Sequence, residues 1–212
     1  MRKDMREFHA DERLLFLRSL LSWAFRKKVV TGKLGSGEDE AAYFTAAYSV
    51  HSRHARTTEA VLALLDIPDD TRFKQAFATL NIEDRQARWV LGRLEDVMEG
   101  STERTTLWDH MTLEHILPKG STRLADWPGF TAEQHRSYRQ NIGNLTLLRK
   151  RPNEKAGDGP FITKVPAHAA STLSITVGLA KLKAWTPRNV DQRAGDLAEY
   201  AIAAWPLVAT RA

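Results

Sequence analysis

The sequence of 212 residues contains no cysteine, which excludes disulfide bridges and zinc sites built on thiolates. It has no apolar run long enough to span a membrane, and its first residues lack the apolar core of a signal peptide. The first hundred residues contain no Gly-rich phosphate loop, no Gly-x-Ser-x-Gly motif and no internal repeat. Together these absences favour a cytoplasmic protein, with no membrane partner and no catalytic motif in its first half.

The positive charge of the chain is unevenly distributed. Hydrophobic residues make up 42% of the sequence and the net charge is +5, which is typical of a globular protein. Residues 1–110 carry 17 Lys and Arg against 18 Asp and Glu, whereas residues 111–165 carry 9 against 5. An excess of this kind is expected of a surface that meets phosphates, although an ordinary solvated surface would give the same count.

Residues 1–105 predict an all-helical scaffold domain. Helices are indicated at 11–28, at 68–80 and at 83–99, with two more between residues 38 and 65. In the first of them, apolar side chains recur every three or four residues and are expected to face a core; they are Leu14, Leu17, Leu21 and Ala24/Phe25.

Three short segments in the second half contain the residues with chemical potential. They are Glu114-His115-Ile116-Leu117-Pro118, Ile142-Gly143-Asn144-Leu145-Thr146-Leu147-Leu148 and Asn153-Glu154-Lys155. They supply a carboxylate beside an imidazole, two carboxamides and nearby cations. One hard metal ion and one general base suffice to hydrolyse a phosphodiester, so the set indicates that chemistry.

Local signals predict two strands followed by a short helix in this region. Residues 111–117 are rich in strand-forming types and stop at Pro118, which cannot donate to a ladder. Residues 131–134 have the form of a capping box for a short helix. Residues 142–148 predict the second strand, and Asn153 is expected to open a brief helix before Gly157.

The ordered segments resemble the HNH (ββα-metal, His-Me finger) nucleases, and more closely the C-terminal domain of GmrSD-type modification-dependent restriction endonucleases. The resemblance covers roughly residues 83–206 and extends to four later positions, which are Phe161, Lys164, Trp185 and Arg193. It implies a mainly α protein with an embedded ββα-metal nuclease centre in residues 106–212. Two C-terminal helices, predicted at 172–185 and from Pro187 onward, would buttress that centre.

Each motif residue receives an expected role. His115 is expected to be the general base, because a neutral imidazole with an ordinary pKa near ~6.5 can accept a proton from water. Glu114 and Asn153 offer oxygen ligands for Mg²⁺ or Mn²⁺. Asn144 is expected to position the loop between the strands, and Lys155 to steady phosphate charge. Neighbouring residues of a regular strand point to opposite faces, so the first strand should end or bulge near Glu114 and His115.

The expected substrate is DNA, whose backbone Arg149, Lys150 and Arg151 would contact. We therefore predict a metal-dependent DNA endonuclease of a restriction or phage-defence system. The alternatives are a catalytically silent DNA-binding or regulatory module and an RNA-cleaving toxin with the same centre. Related restriction endonucleases carry an N-terminal nucleotide-dependent domain with an Asp-Gly-Gln-Gln-Arg motif, which this sequence lacks. The chain is thus expected to be part of a larger protein or to act with a separate recognition partner; its sequence indicates no oligomeric state.

Overall fold

The computed structural model describes residues 10–33, 37–100 and 110–208. These residues are mainly helical, which confirms the mainly α class, and within them no helix is both long and apolar enough to cross a membrane. The chain packs as two compact units, one of Met1–Ala76 with Trp205–Ala212 and the other of Phe77–Ala204. The domain boundary predicted after residue 105 lies outside the described residues and stays a prediction.

The first unit is built on helices α1 (Ala10–Thr31), α2 (Gly37–His51) and α3 (Thr58–Leu62), and on the start of α4 (Asp70–Ala78). Its core is a cluster of buried apolar side chains: Trp23, Ala46, Ala55, Val61, Leu62 and Leu65. The apolar stripe predicted to face this core is wrong. Leu14, Leu17 and Leu21 have exposed fractions of 48%, 54% and 56%.

A buried arginine explains which side of α1 faces inward. The Arg26 side chain is fully buried; its Nε donates to the Trp205 carbonyl and its Nη1 to the Pro68 carbonyl, both at 2.7 Å, and it pairs with Asp70. A buried guanidinium needs such partners, because an unpaired buried charge is very costly. The need to satisfy Arg26 therefore outweighs the apolar periodicity of α1.

The second unit holds most of the remaining elements and every residue of the motif segments. Its helices and strands are α5 (Asp84–Met98), β1 (Met111–His115), α6 (Ala132–Tyr138), β2 (Leu145–Arg149), α7 (Lys150–Ala156), α8 (Phe161–Ala169), α9 (Ser174–Val177) and α10 (Pro187–Ala204). Short 3₁₀ turns lie at Ser121–Asp126, Ile142–Asn144 and Gly178–Lys181. The core cluster comprises Ile116, Leu117, Trp127, Phe130, Phe161, Leu179, Trp185 and Val190.

Strands β1 and β2 pair antiparallel, in a regular register that runs from Met111↔Arg149 to His115↔Leu145. The second strand is shorter than predicted, because Ile142–Asn144 forms a 3₁₀ turn ahead of it. The Gly143 amide donates to the Asn141 side chain at 2.8 Å, which favours the turn. A Cβ at Gly143 would lie 2.2 Å from the Val190 carbonyl oxygen, so helix α10 can approach only at a glycine.

Two helix predictions change and two hold. Helix α7 begins at Lys150, three residues before Asn153. The helix predicted at 172–185 is wrong: α9 is a single turn, followed by a 3₁₀ turn and extended backbone at Leu182. The buried Thr176 hydroxyl donates to the Leu147 carbonyl of β2 at 2.8 Å, a contact that ties α9 to the sheet. The capping box that starts α6 and the start of α10 at Pro187 are confirmed.

Candidate active site

The site is organised around Asn144, which is fully buried. Its Oδ1 accepts a hydrogen bond from the Leu117 amide at 2.8 Å, and its Nδ2 donates to the Leu117 carbonyl at 2.9 Å and to the Arg139 carbonyl at 3.2 Å. The Asn144 carbonyl also accepts from the Ile116 amide at 3.0 Å. These bonds fix the segment that leaves β1 against the turn that enters β2. They also explain why β1 ends at His115.

Two of the late motif residues hold this turn in place. The Trp185 Nε1 donates to the Asn144 Oδ1 at 3.1 Å. The Arg193 Nη1 donates to the carbonyls of Gly143 and Leu145 at 2.8 and 2.7 Å, which lie on either side of Asn144. The sequence showed these residues as isolated positions, and the structure shows that both contact one turn.

His115 is the last residue of β1 and has a side chain 13% exposed. Its Nε2 lies 2.7 Å from the Gln140 Oε1 and 3.6 Å from the Asp84 Oδ1. Burial lowers the pKa of the imidazole below its ordinary value, although the hydrogen bond to Gln140 and the charge of Asp84 oppose that shift. The neutral ring therefore predominates at physiological pH.

Glu114, the residue before His115, has a different set of partners. Its side chain is buried, and its Oε1 accepts a hydrogen bond from the Lys164 Nζ at 2.7 Å. Lys164, itself buried in α8, also donates to the His115 carbonyl at 2.9 Å. Burial raises the pKa of the Glu114 carboxyl; the Lys164 ammonium lowers it, and the charge of Asp158 adds to the rise.

The Lys164 contact is the main feature that sequence reasoning missed. The Phe161-x-x-Lys164 pattern was visible, but nothing local assigned it a chemical role. Lys164 and Glu114 lie 50 positions apart in the sequence, and α8 joins them only once β1 and the helix have packed together. The one available signal was a lysine at the fourth position of an otherwise apolar helical turn.

Asn153 lies in the middle of α7 and attaches that helix to β1. Its Nδ2 donates to the Thr112 hydroxyl at 2.8 Å and to the Leu113 carbonyl at 2.9 Å. In the part of the chain that the structure describes, its Oδ1 accepts no hydrogen bond. The carboxamide is therefore held by its nitrogen, and its oxygen is left without a protein donor one residue along β1 from Glu114.

Two oxygen donors of this kind fit a hard divalent cation. Lys164 occupies the Oε1 of Glu114, so the Oε2 of that carboxylate and the Oδ1 of Asn153 remain as acceptors. Magnesium is commonly held by one or two such protein oxygens, with waters and substrate phosphate as its other ligands. Across residues 10–33, 37–100 and 110–208, no group of three or more His, Asp and Glu side chains is placed to hold a metal.

The basic residues lie on the surface next to this site. Arg149 ends β2, Lys150 and Arg151 begin α7, and all three are exposed, as is Lys155 in the last turn of that helix. The Lys150 Nζ lies 3.9 Å from the Glu154 Oε1, a loose solvent-exposed pair. Exposed cations on one strand end and one helix form a basic surface that can meet phosphates.

The motifs and the fold of the second unit match a known family. A family model described as GmrSD restriction endonucleases, C-terminal domain, matches residues 67–200, more than half of the chain. The match defines the class of protein as a nuclease of the restriction-endonuclease type. The chain belongs to the family of GmrSD restriction endonuclease C-terminal domains, and the resemblance seen in its motifs is confirmed. No curated protein sequence matches the chain.

Proposed function

We propose that the chain is a metal-dependent DNA endonuclease of the HNH type, whose ββα-metal centre is formed by β1, β2 and α7. One observation carries the proposal: the helix that follows the hairpin is tied by Asn153 to β1, the strand that presents Glu114 and His115. This arrangement brings a carboxylate, a carboxamide oxygen and a neutral imidazole to one end of a two-stranded sheet. Membership of a nuclease family supports the same interpretation.

Glu114 and Asn153 would hold the metal ion, Mg²⁺ or Mn²⁺. The free oxygens of these side chains are the ligand type that such ions prefer. When bound, the ion would supply electrostatic stabilisation of the charge that develops on the phosphate.

His115 would act as the general base. Its ring nitrogen takes a proton from a water molecule while the water oxygen bonds to phosphorus and the bond from phosphorus to the leaving oxygen breaks. The leaving oxygen is then protonated by solvent. Because burial keeps the pKa of His115 low, the base is in its proton-accepting form at neutral pH. Asn144 would act as a positioning residue, since its hydrogen bonds fix the backbone that follows His115.

The exposed cations would bind the substrate. Arg149, Lys150 and Arg151 would follow the DNA backbone, and Lys155 would steady the charge of the phosphate under attack. Contacts to phosphates carry no base information, so target choice would belong to a nucleotide-dependent recognition domain or partner. Such an effector would act in the cytoplasm, where it meets invading phage DNA.

A cleavage assay with purified chain tests this proposal. Supercoiled plasmid and a matched single-stranded RNA are each incubated with Mg²⁺, with Mn²⁺ and with EDTA. We expect weak nicking or cutting of DNA with either metal, without strong sequence preference, and none in EDTA. Cleavage of RNA alone would instead support the toxin alternative. Binding of DNA without cleavage under any metal condition would support the silent module.

A further inference from the structure

The surroundings of His115 contain two polar side chains that the proposed mechanism does not use. Asp84, the first residue of α5, and Gln140, which follows α6, are joined by a hydrogen bond from the Gln140 Nε2 to the Asp84 Oδ1 at 3.1 Å. The Gln140 Oε1 in turn lies 2.7 Å from the His115 Nε2. The Asp84 Oδ1 is itself 3.6 Å from the same ring nitrogen.

The backbone places these two side chains together. The Ile82 amide donates to the Gln140 carbonyl at 3.0 Å, and the Ile142 amide donates to the Leu80 carbonyl at 2.9 Å. An isolated antiparallel bridge pairs Asn81 with Asn141 between those bonds. The segment entering α5 is therefore joined to the segment that leads into the Asn144 turn.

The direction of each hydrogen bond follows from the state of Asp84. Burial would raise the pKa of its carboxyl, but hydrogen bonds from Lys119 and Gln140 and the nearby His115 outweigh burial and lower it. An ionised carboxylate only accepts, so Gln140 must present its amide nitrogen to Asp84 and its oxygen to His115. The Gln140 oxygen also only accepts, so the His115 Nε2 must carry the hydrogen. A neutral imidazole has one N–H, which leaves the lone pair on Nδ1.

We propose that Asp84 and Gln140 are positioning residues that hold His115 as the Nε2–H tautomer, so that Nδ1 is the nitrogen that accepts the proton. The carboxylate also lies close enough to stabilise the imidazolium that forms. This is the arrangement in which a carboxylate orients a catalytic imidazole, here with a glutamine between them. The inference rests on the proposed role of His115 as general base.

The tautomer can be measured without any cleavage assay. In ¹⁵N-histidine-labelled full chain, the two ring nitrogens give distinct NMR signals, and His115→Ala assigns those of His115. At mildly alkaline pH we expect the wild-type ring to carry its hydrogen on Nε2. Asp84→Asn and Gln140→Leu should each lose this preference, because an Asn at 84 can donate to Gln140 and allow its amide to turn over. Glu133→Gln, which removes an exposed carboxylate elsewhere, should leave the signals unchanged.

Single-turnover kinetics with plasmid DNA and Mg²⁺ test the consequence. Asp84→Asn and Gln140→Leu should lower the rate roughly 10–100-fold, the usual effect of removing an orienting partner, while KM for DNA changes less than about twofold. Asp84→Glu should recover part of the rate, whereas loss of a merely structural contact would not discriminate between Asn and Glu. A wild-type ring with its hydrogen on Nδ1, or variants that cut at the wild-type rate, would overturn the inference. The expected tautomer in a chain that cuts no substrate would instead refute the proposed function.

Discussion

Removal of the Lys164 ammonium should be the most damaging single change in the second unit. In Lys164→Met the Glu114 carboxylate keeps its buried position but loses its cation, and the His115 carbonyl loses a donor. Lys164 also lies over the Trp127 ring, with its Nζ 6.0 Å from the ring centre. Both members of the ion pair are buried, with exposed side-chain fractions of 1% for Lys164 and 6% for Glu114. Solvent therefore cannot take the place of the missing cation.

Breaking a buried ion pair by removing one partner costs about 3–5 kcal/mol, because the other charge stays buried and unpaired. Each kcal/mol shifts the melting temperature of a chain this size by about 2–4 °C, so a fall of roughly 6–20 °C is expected. Replacing both partners, in Glu114→Gln with Lys164→Met, should recover most of that loss. Lys183→Met, which removes an exposed lysine, should change stability by less than about 0.5 kcal/mol.

The loss should also depend on pH. The folded-state pKa of Glu114 is already raised by burial, and removal of Lys164 takes away the cation that holds it down. A group whose pKa is higher in the folded state stabilises the fold at low pH, and that stabilisation is lost as pH rises through the folded-state pKa. The deficit of Lys164→Met should therefore be largest near neutral pH and shrink towards the ordinary pKa of a glutamate. Thermal unfolding in EDTA across this range measures it; a deficit below 1 kcal/mol at neutral pH would refute the ion-pair account.

The remaining predictions concern metal, DNA and packing. Activity should require added Mg²⁺ or Mn²⁺ and disappear in EDTA; full cleavage by metal-stripped protein would contradict the metal-assisted mechanism. Replacing residues 149–151 with Ala should weaken DNA binding equally across sequences and flatten its salt dependence by up to three phosphate contacts, each ~0.9 in slope. Unequal losses between sequences in a titration series would reveal a base reader. Gly143→Ala should destabilise by about 1–3 kcal/mol, because its Cβ would collide with the Val190 carbonyl. Gly195→Ala, with nothing within 4 Å of its Cβ, should stabilise α10 by roughly 0.5–1 kcal/mol in the same melts.

Local sequence signals predicted the elements that local physics controls. The capping box of Thr131 and Gln134 fixes the start of α6. The apolar positions of α10 and its Thr186-Pro187 start also agree with the structure, since Val190, Ala194 and Leu197 are buried as predicted. In each case the side chains that set the structure lie within one or two helical turns of one another.

The failures lie where distant contacts override local preference. The stripe of α1 was misplaced because Arg26 needs carbonyl partners from Pro68 and Trp205. The helix expected after residue 172 was cut short because the Glu95 carboxylate accepts from the Ser174 amide at 2.8 Å and so sets where α9 begins. No reading of local periodicity contains such information.

The candidate site divides in the same way. His115, Glu114 and Asn144 were found because their residue types and order are distinctive. Their partners were not, since Lys164 and Gln140 are separated from them by 50 and 25 positions. Only the packed chain shows which ordinary polar residue faces which motif residue.

The most direct test of the central claim is the cleavage rate of His115→Ala. Wild type and variant are compared in single turnover on the same plasmid with saturating Mg²⁺, and DNA affinity is measured in parallel. We expect the rate to fall by roughly 10²–10⁴-fold, the usual contribution of a positioned general base, while affinity stays nearly unchanged. Cleavage by the variant at the wild-type rate would show that His115 is not the base and that the nuclease centre lies elsewhere.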